Sequence, residues 1–393
     1  MNDVSQTLAP ADPLAQARAL APRIAASSDE IELTRRIPEP LLSELHAARL
    51  FRMLLPRSAG GDEVEPWVYL DAVEEIARHD GSVAWNIFVA NSSALIAPFL
   101  PAESARFIYA DPRALIAWGP PNKCRAHAVP GGYRISGQWD FASGCRQANW
   151  MGAHALVIEP DGKLRLNAAG RPTVRTLLFP AEQAELIDTW NVIGLRGTAS
   201  DSYAVSELFV PEAFSGTRED PSLRREPGRL YAFTMQGLYA VGVAAVALGL
   251  ARAMLDGFVA LAARKTPRNL ARLADDAIVQ ADVARMEARL GSARAYLVET
   301  LMSVWRTAGS EASIDVPARA RVRLACTHAI HSAEAVADAA YKAAGTDAIF
   351  PGSAFERRFR DMHTLSQQIQ SRRAHYETIG QVLLGIEPNG LFL

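Results

Sequence analysis

The chain has 393 residues, 49% apolar and 21% charged, a composition that suits a globular protein of two or three domains with a sizeable core. Its 41 basic and 43 acidic residues leave a net charge of −2, which gives no electrostatic reason to expect nucleic acid or an anionic membrane as partner. Three cysteines, Cys124, Cys145 and Cys326, are too few and too scattered for a disulfide framework or a cysteine zinc site, and they fit a reducing cytoplasm.

The N-terminal run has no basic start ahead of an apolar core, so no secretory signal is expected. Residues 12–110 then read as helical. Leu41, Leu42, Leu45 and Ala48 recur at helix spacing, and so do Leu70, Val73, Ile76 and Ala77. Pro38 and Pro40 mark a helix start, while Asp80 and Gly81 mark the end of the helix that carries Glu74, Glu75 and His79. The texture changes near Asp111. Up to about Pro211 the chain runs in short alternating or β-branched segments (133–136, 155–158, 173–179 and 203–210) with turns at Pro130-Gly131-Gly132 and Pro160-Asp161-Gly162. A polar linker with Pro221 and Pro227 follows. Helical periodicity resumes over 236–265, 275–308, 317–344 and 354–384, which predicts an antiparallel four-helix bundle.

The expected fold is therefore α+β: an N-terminal helical domain over 1–111, a central antiparallel β-domain over 112–222 and a C-terminal four-helix bundle over 223–393. One stretch, 230–251, is uncharged and long enough to span a bilayer, but its Ala, Gly, Val and Leu content suits a helix at the centre of a tight bundle, so no membrane is expected. No glycine-rich dinucleotide or P-loop motif appears, so reducing equivalents from NAD(P)H would have to arrive through another protein.

Three strings could carry chemistry. Gly137-Gln-Trp139-Asp-Phe141-Ala-Ser143-Gly144 puts a hydroxyl at a strand end flanked by aromatic rings, where it can bond a flat heteroaromatic ligand; on its own the string reads more simply as a surface strand ending in a turn. Asn191-Val-Ile-Gly-Leu-Arg196-Gly-Thr198-Ala-Ser200 gathers donors in one short loop, or is a plain turn between strands. Arg360-Asp-Met-His363-Thr-Leu-Ser-Gln places a histidine within the last helix, able to exchange a proton or to serve structurally. His328-x-x-His331-x-x-Glu334 has one-face helical spacing, but no second helix offers a matching Glu-x-x-His, and no metal is expected.

The α–β–α order and the strings Tyr133 to Gly144, Leu195-Arg196-Gly-Thr198 and Ala263-Arg264-Lys-Thr together resemble the acyl-CoA dehydrogenase superfamily over nearly the whole chain. That resemblance implies a flavin. The residue matching Ser143 hydrogen-bonds flavin N5, Phe141 matches an aromatic residue at the ring, and Trp118, Gly119 and Pro120 fall in a flavin-contacting loop. Arg264, Gly345 and Thr346 match positions that hold the phosphate tail, partly across a subunit boundary, which implies a homotetramer; Arg196 and Thr198 complete the cofactor set. The chain departs from the dehydrogenases after Arg360 and Asp361, where their catalytic glutamate is missing and no glutamate occurs before Glu377. The Asp-x-His-Thr-Leu-Ser-Gln string instead looks like the two-component, reduced-flavin-dependent monooxygenases.

The resemblance thus implies an oxygenase component that takes FMNH2 or FADH2 from a separate NAD(P)H:flavin reductase and uses O2 to oxygenate a small phenol- or indole-like aromatic. In it Ser143 holds the N5 proton and His363 supplies a proton or hydrogen bond to the activated oxygen. Some phenol hydroxylases of that group carry a histidine where this chain has Asn91, which can orient a substrate but cannot act as a base. Trp85, Asn91, Trp139 and Tyr239 are the expected pocket walls. An FAD-dependent acyl-CoA dehydrogenase with its base elsewhere and a non-catalytic helical-bundle binding protein are the alternatives.

Overall fold

A computed structural model describes residues 12–167, 170–218, 220–308, 313–388 and 393. The stretch 1–11, read above as lacking a secretory signal, lies outside them. Five helices open the fold: α1 (Pro13–Thr34), α2 (Glu39–Ala47), α3 (Pro66–Ala77), α4 (Gly81–Ala94) and α5 (Ala102–Tyr109). Asp12 caps α1 by accepting from the Leu14 and Ala15 amides, with Pro13 in the first turn where its missing N–H is no loss. Asp80 turns out to be a start signal: α3 ends at Ala77, and the Asp80 carboxylate caps α4 at the Val83 amide.

Among the described residues eight strands follow: β1 (Ile116–Trp118), β2 (Arg125–Val129), β3 (Gly132–Ala142), β4 (Trp150–Ile158), β5 (Val174–Pro180), β6 (Glu185–Ile187), β7 (Asp201–Pro211) and β8 (Ser215–Gly216). They form one sheet in the order β6-β7-β3-β2-β4-β5-β8, with β1 added to β4. The expectation of an antiparallel sheet is corrected here, because β4 runs parallel to both β1 and β2. Parallel neighbours need the chain to be carried back between them, and β3, antiparallel to β2, does this before the 143–149 connection leads into β4. β3 is bulged against β7 between Trp139 and Ala142, and that irregularity shapes the site described below.

The C-terminal part holds α6 (Met235–Ala262), α7 (Ala277–Thr307), α8 (Val316–Ala344), α9 (Glu356–Leu365) and α10 (Ala374–Leu383). Side-chain oxygens of Thr234, Asp276 and Asp315 cap the three long helices. The fourth bundle helix expected over 354–384 is two short helices. The polar run Ser366-Gln367-Gln368 offers no apolar stripe to continue α9, and the turn after it buries Gln370 beside Arg323 and the Gln236 side chain.

The expectation of a single bilayer-length stretch is also corrected, since Gly81–Phe99 and Met235–Ala262 both meet that test. Their apolar windows are 89% and 83% buried inside the fold, as core helices are. The second, α6, is the axis of the molecule. A Cβ at Gly249 would sit 2.3 Å from the Glu74 carbonyl, so only glycine lets α3 approach this closely. The result is one apolar core that joins residues of both chain ends, such as Ile31, Leu41, Val73 and Phe88 with Val243, Leu250, Leu297 and Ile330. A second core fills the sheet around Trp139, Met151, Phe179 and Tyr203.

Candidate active site

The bulge in β3 decides what its last residues face. Regular alternation would put Trp139 and Phe141 on the same side. Instead Trp139 is fully buried in the sheet core, stacked on Tyr203 at 5.5 Å with its indole N–H donating to the His154 carbonyl at 2.9 Å. Phe141 takes a left-handed φ of 61° and stands 62% exposed, nearly perpendicular to the Trp190 ring at 6.2 Å. A non-glycine residue held at positive φ stores about 1–3 kcal/mol of strain, and here it presents an aromatic face to the outside. Trp139 is therefore corrected from pocket wall to core residue.

Two residues on, Ser143 turns inward and meets the 195–200 turn. The Gly144 amide donates to the Thr198 carbonyl at 2.8 Å, which ties the two segments together. Leu195 and Ala199 both hold left-handed φ, 51° and 44°. Gly197 is obligatory between them, since a Cβ there would lie 2.1 Å from Ile31 Cγ2. Along this seam the buried hydroxyls form a chain. Trp85 Nε1 of α4 donates to Ser143 Oγ at 3.1 Å. Ser143 Oγ lies 2.7 Å from Ser200 Oγ, and Ser200 Oγ lies 2.7 Å from Thr198 Oγ1. Thr198 Oγ1 donates to the Leu195 carbonyl at 2.8 Å.

Behind Leu195 stands Asp361 of α9, wholly buried, whose carboxylate accepts from the Leu195 amide at 2.5 Å. Burial raises its pKa to about 7; the Leu195 bond opposes that rise and nearby Asp80 adds to it. The hydrogen-bonded path thus runs from α9 through the β-domain to α4, touching all three parts of the fold.

The structure does not bring His363 into this cluster. Two residues along a helix turn the side chain by roughly 200°, so with Asp361 aimed at Leu195, His363 faces α8 instead. Its Nε2 is 2.9 Å from Asp338 Oδ1 and its ring packs on Phe359 at 4.3 Å. Asn91 is likewise placed in a supporting position. Its Nδ2 donates to the Leu50 and Ile87 carbonyls and its Oδ1 accepts from the Leu54 amide, all at 2.8–3.0 Å with no exposure, so both of its amide hydrogens are committed to the backbone.

Trp85 and Tyr239 are linked through Phe88 by edge contacts at 4.7 and 5.1 Å. Trp118 is packed between His154, 4.9 Å away, and the Arg218 guanidinium, 4.7 Å from the ring centre. The next residue, Gly119, lies so close to β3 that a Cβ would meet the Asp140 carbonyl at 2.3 Å, while Pro120 is exposed. Arg196 donates to the Val192 carbonyl, and its buried Nε has no partner among the described residues. Arg264, Gly345 and Thr346 come together at the ends of α6 and α8, where Lys265 bonds the Ala344 carbonyl and pairs with Asp347. His331 of the weighed metal string bonds the Ser371 carbonyl at 2.8 Å, and His328 lies edge-on to Tyr296.

Residues 14–102 match the acyl-CoA dehydrogenase N-terminal domain and residues 241–372 the acyl-CoA dehydrogenase C-terminal domain. Indole-3-acetate monooxygenase of Pseudomonas putida is 31% identical over 368 residues, covering 91% of this chain and 90% of that protein. The FADH2-dependent resorcinol hydroxylase oxygenase component of Rhizobium sp. is 28% identical over all of both chains. The crystal structure of 3-HSA hydroxylase from Rhodococcus sp. RHA1 has the same fold, with a TM-score of 0.89 over 97% of this chain and 99% of that one at 23% identity. The chain belongs to the acyl-CoA dehydrogenase family, in its flavin monooxygenase branch.

In this flavin monooxygenase Ser143 borders a small cavity of about 10 Å³, room for about one water, together with Asn86, Leu115, Gly144 and Gln147. Asn86 donates both amide hydrogens, to the Ser82 and Gly197 carbonyls, so its Oδ1 is a committed acceptor; it is buried and has no partner among the described residues. Sequence reasoning missed Asn86 and Asp361. The pattern gives no sign of either, because a buried polar residue on a helix looks like a surface one until its neighbours are known. Cys145, adjacent to Ser143, is not a nucleophile: burial pushes its thiol up to about 12.

Proposed function

We propose that this chain is the oxygenase component of a two-component system, taking FMNH2 or FADH2 from a separate NAD(P)H:flavin reductase and using O2 to oxygenate a small aromatic or heteroaromatic, phenol- or indole-like compound. The observation that carries this reading is the site itself: an exposed aromatic ring at Phe141 and a buried hydroxyl at Ser143, in a chain with no glutamate between Asp361 and Glu377. A dehydrogenase needs a base to take the α-proton of its thioester, whereas a monooxygenase does not.

The orphaned Asn86 oxygen beside Ser143 and the exposed Phe141 face fit a flat ring that carries N–H groups. Reduced flavin supplies the two electrons that let O2 give one atom to the substrate, the other leaving as water. Phe141 would support the ring and Ser143 would accept the hydrogen bond from the N–H at N5. The Trp85–Phe88–Tyr239 cluster keeps water away, which limits unproductive loss of oxygen as peroxide. Arg264, Gly345 and Thr346 hold the phosphate tail, partly from a neighbouring subunit of a cytoplasmic homotetramer. The Trp118–Pro120 loop and Arg196 flank it.

The test supplies protein and anaerobically reduced flavin with 18O2 and indole-3-acetate or resorcinol. One labelled oxygen in the product supports the reading. Tightly held oxidised FAD that an acyl-CoA bleaches would make the protein a dehydrogenase, and failure to bind flavin in either redox state would leave a non-catalytic bundle.

A further inference from the structure

The hydroxyl chain between α4 and the 195–200 turn has only one consistent direction. Its ends are fixed chemically: an indole N–H can only donate and a carbonyl can only accept. Thr198 gives its proton to the Leu195 carbonyl, so in the Thr198–Ser200 contact Ser200 must be the donor. Ser200 has then used its only proton, so in the Ser143–Ser200 contact Ser143 must donate. Ser143 at the same time accepts from Trp85. Its proton is committed inward, one lone pair is taken, and a single lone pair is left for a ligand. Asn86 Oδ1, bordering the same cavity, is an acceptor by the same reasoning, since both its amide hydrogens are committed to carbonyls.

We infer that the Thr198–Ser200 relay fixes Ser143 as a hydrogen-bond acceptor, and that this makes the site select the reduced flavin, whose N5 carries a proton, over the oxidised flavin, whose N5 is itself an acceptor. The inference rests on the flavin reading above and adds a source of redox selectivity. Thr198 and Ser200 are positioning residues: they act on the cofactor through Ser143. Two facing acceptors forfeit a hydrogen bond and leave a buried lone pair unmet, which is worth roughly tenfold or more in affinity. Because the direction is set from the Leu195 end, Trp85 is not needed to maintain it.

The experiment is anaerobic titration of the protein with FMN and FAD, oxidised and dithionite-reduced, read by equilibrium dialysis and by the two-electron potential of the bound flavin. Each tenfold change in the affinity ratio moves that potential by about 30 mV. The wild type should bind the reduced form at least roughly tenfold more tightly. Ser200→Ala, which leaves the Ser143 proton free to turn outward, should tighten oxidised flavin and bring the ratio toward unity; Thr198→Val should do the same and stands in if Ser200→Ala does not fold. Trp85→Phe should keep the wild-type ratio even if both affinities fall. Equal shifts of the ratio in Ser200→Ala and Trp85→Phe, or a wild type that prefers oxidised flavin, overturn the relay while leaving the oxygenase reading in place. A protein that binds neither form overturns the flavin reading beneath it.

Discussion

Replacing Asp361 with asparagine should flatten the protein's stability profile between pH 4 and pH 8. The carboxyl is completely buried behind the 195–200 turn, and burial lifts it from the ordinary 3.8 to about 7. Asp80, also buried and also raised, adds a like charge, while Arg358 and Arg360 face the pair from α9 and Glu32 from α1. The sign follows from which state holds the proton. Below pH 3.8 Asp361 is protonated in folded and unfolded chains alike, and its contribution to stability is fully present. Between 3.8 and 7 the unfolded chain loses the proton and the native chain keeps it, so stability falls by up to about 1.4 kcal/mol per pH unit. The whole interval amounts to about 4 kcal/mol, a ceiling because the turn can relax when the group ionises. Asparagine keeps an oxygen for the Leu195 amide but cannot titrate. The assay is urea unfolding of both proteins at half-unit pH steps, plotting the difference in free energy. A difference that grows in favour of Asp361→Asn from pH 4 to pH 7 and then levels supports the argument. A difference that does not change with pH would mean that the carboxyl ionises normally and is reached by water.

Asn91→Ala should cost about 3 kcal/mol in urea unfolding, because it leaves the Leu54 amide and the Leu50 carbonyl buried without partners at roughly 1–3 kcal/mol each. Stability within 1 kcal/mol of wild type, combined with a collapse in turnover, would return Asn91 to the substrate pocket. His363→Ala should cost about 1 kcal/mol or less, since its pairing with Asp338 is about one-third exposed, and should leave the peroxide yield of oxygenation near the wild-type level. A several-fold rise in peroxide would instead identify His363 as the proton donor.

Much of the architecture was legible because long helices announce themselves: the three long bundle helices begin and end within about three residues of the expected bounds. The fourth failed where a polar turn interrupts an otherwise helical composition. In the sheet, alternation located β3 but could not show its bulge, and that one irregularity separates Trp139, inside, from Phe141, outside. Ser143 and Thr198 stood out as hydroxyls in short glycine-containing segments. Their contact through Ser200 spans 57 residues of sequence, and no local pattern encodes it. His363 and Asp361 show the same limit at close range. They are two positions apart and face opposite ways, and only the docking of α9 decides which one meets the turn.

The core shared by the two ends of the chain also bears on how the protein is made. α3 packs against α6, yet the β-domain lies between them, so the N-terminal helices leave the ribosome with their apolar faces uncovered until α6 has been synthesised. Their final burial depends on contacts about 170 residues distant in sequence, a topology that folds slowly and exposes sticky surface meanwhile. A nascent chain halted in the β-domain should therefore depend on chaperones. Deleting the bundle should strip the N-terminal helices of their support, while the sheet, with its own interior, can hold together alone.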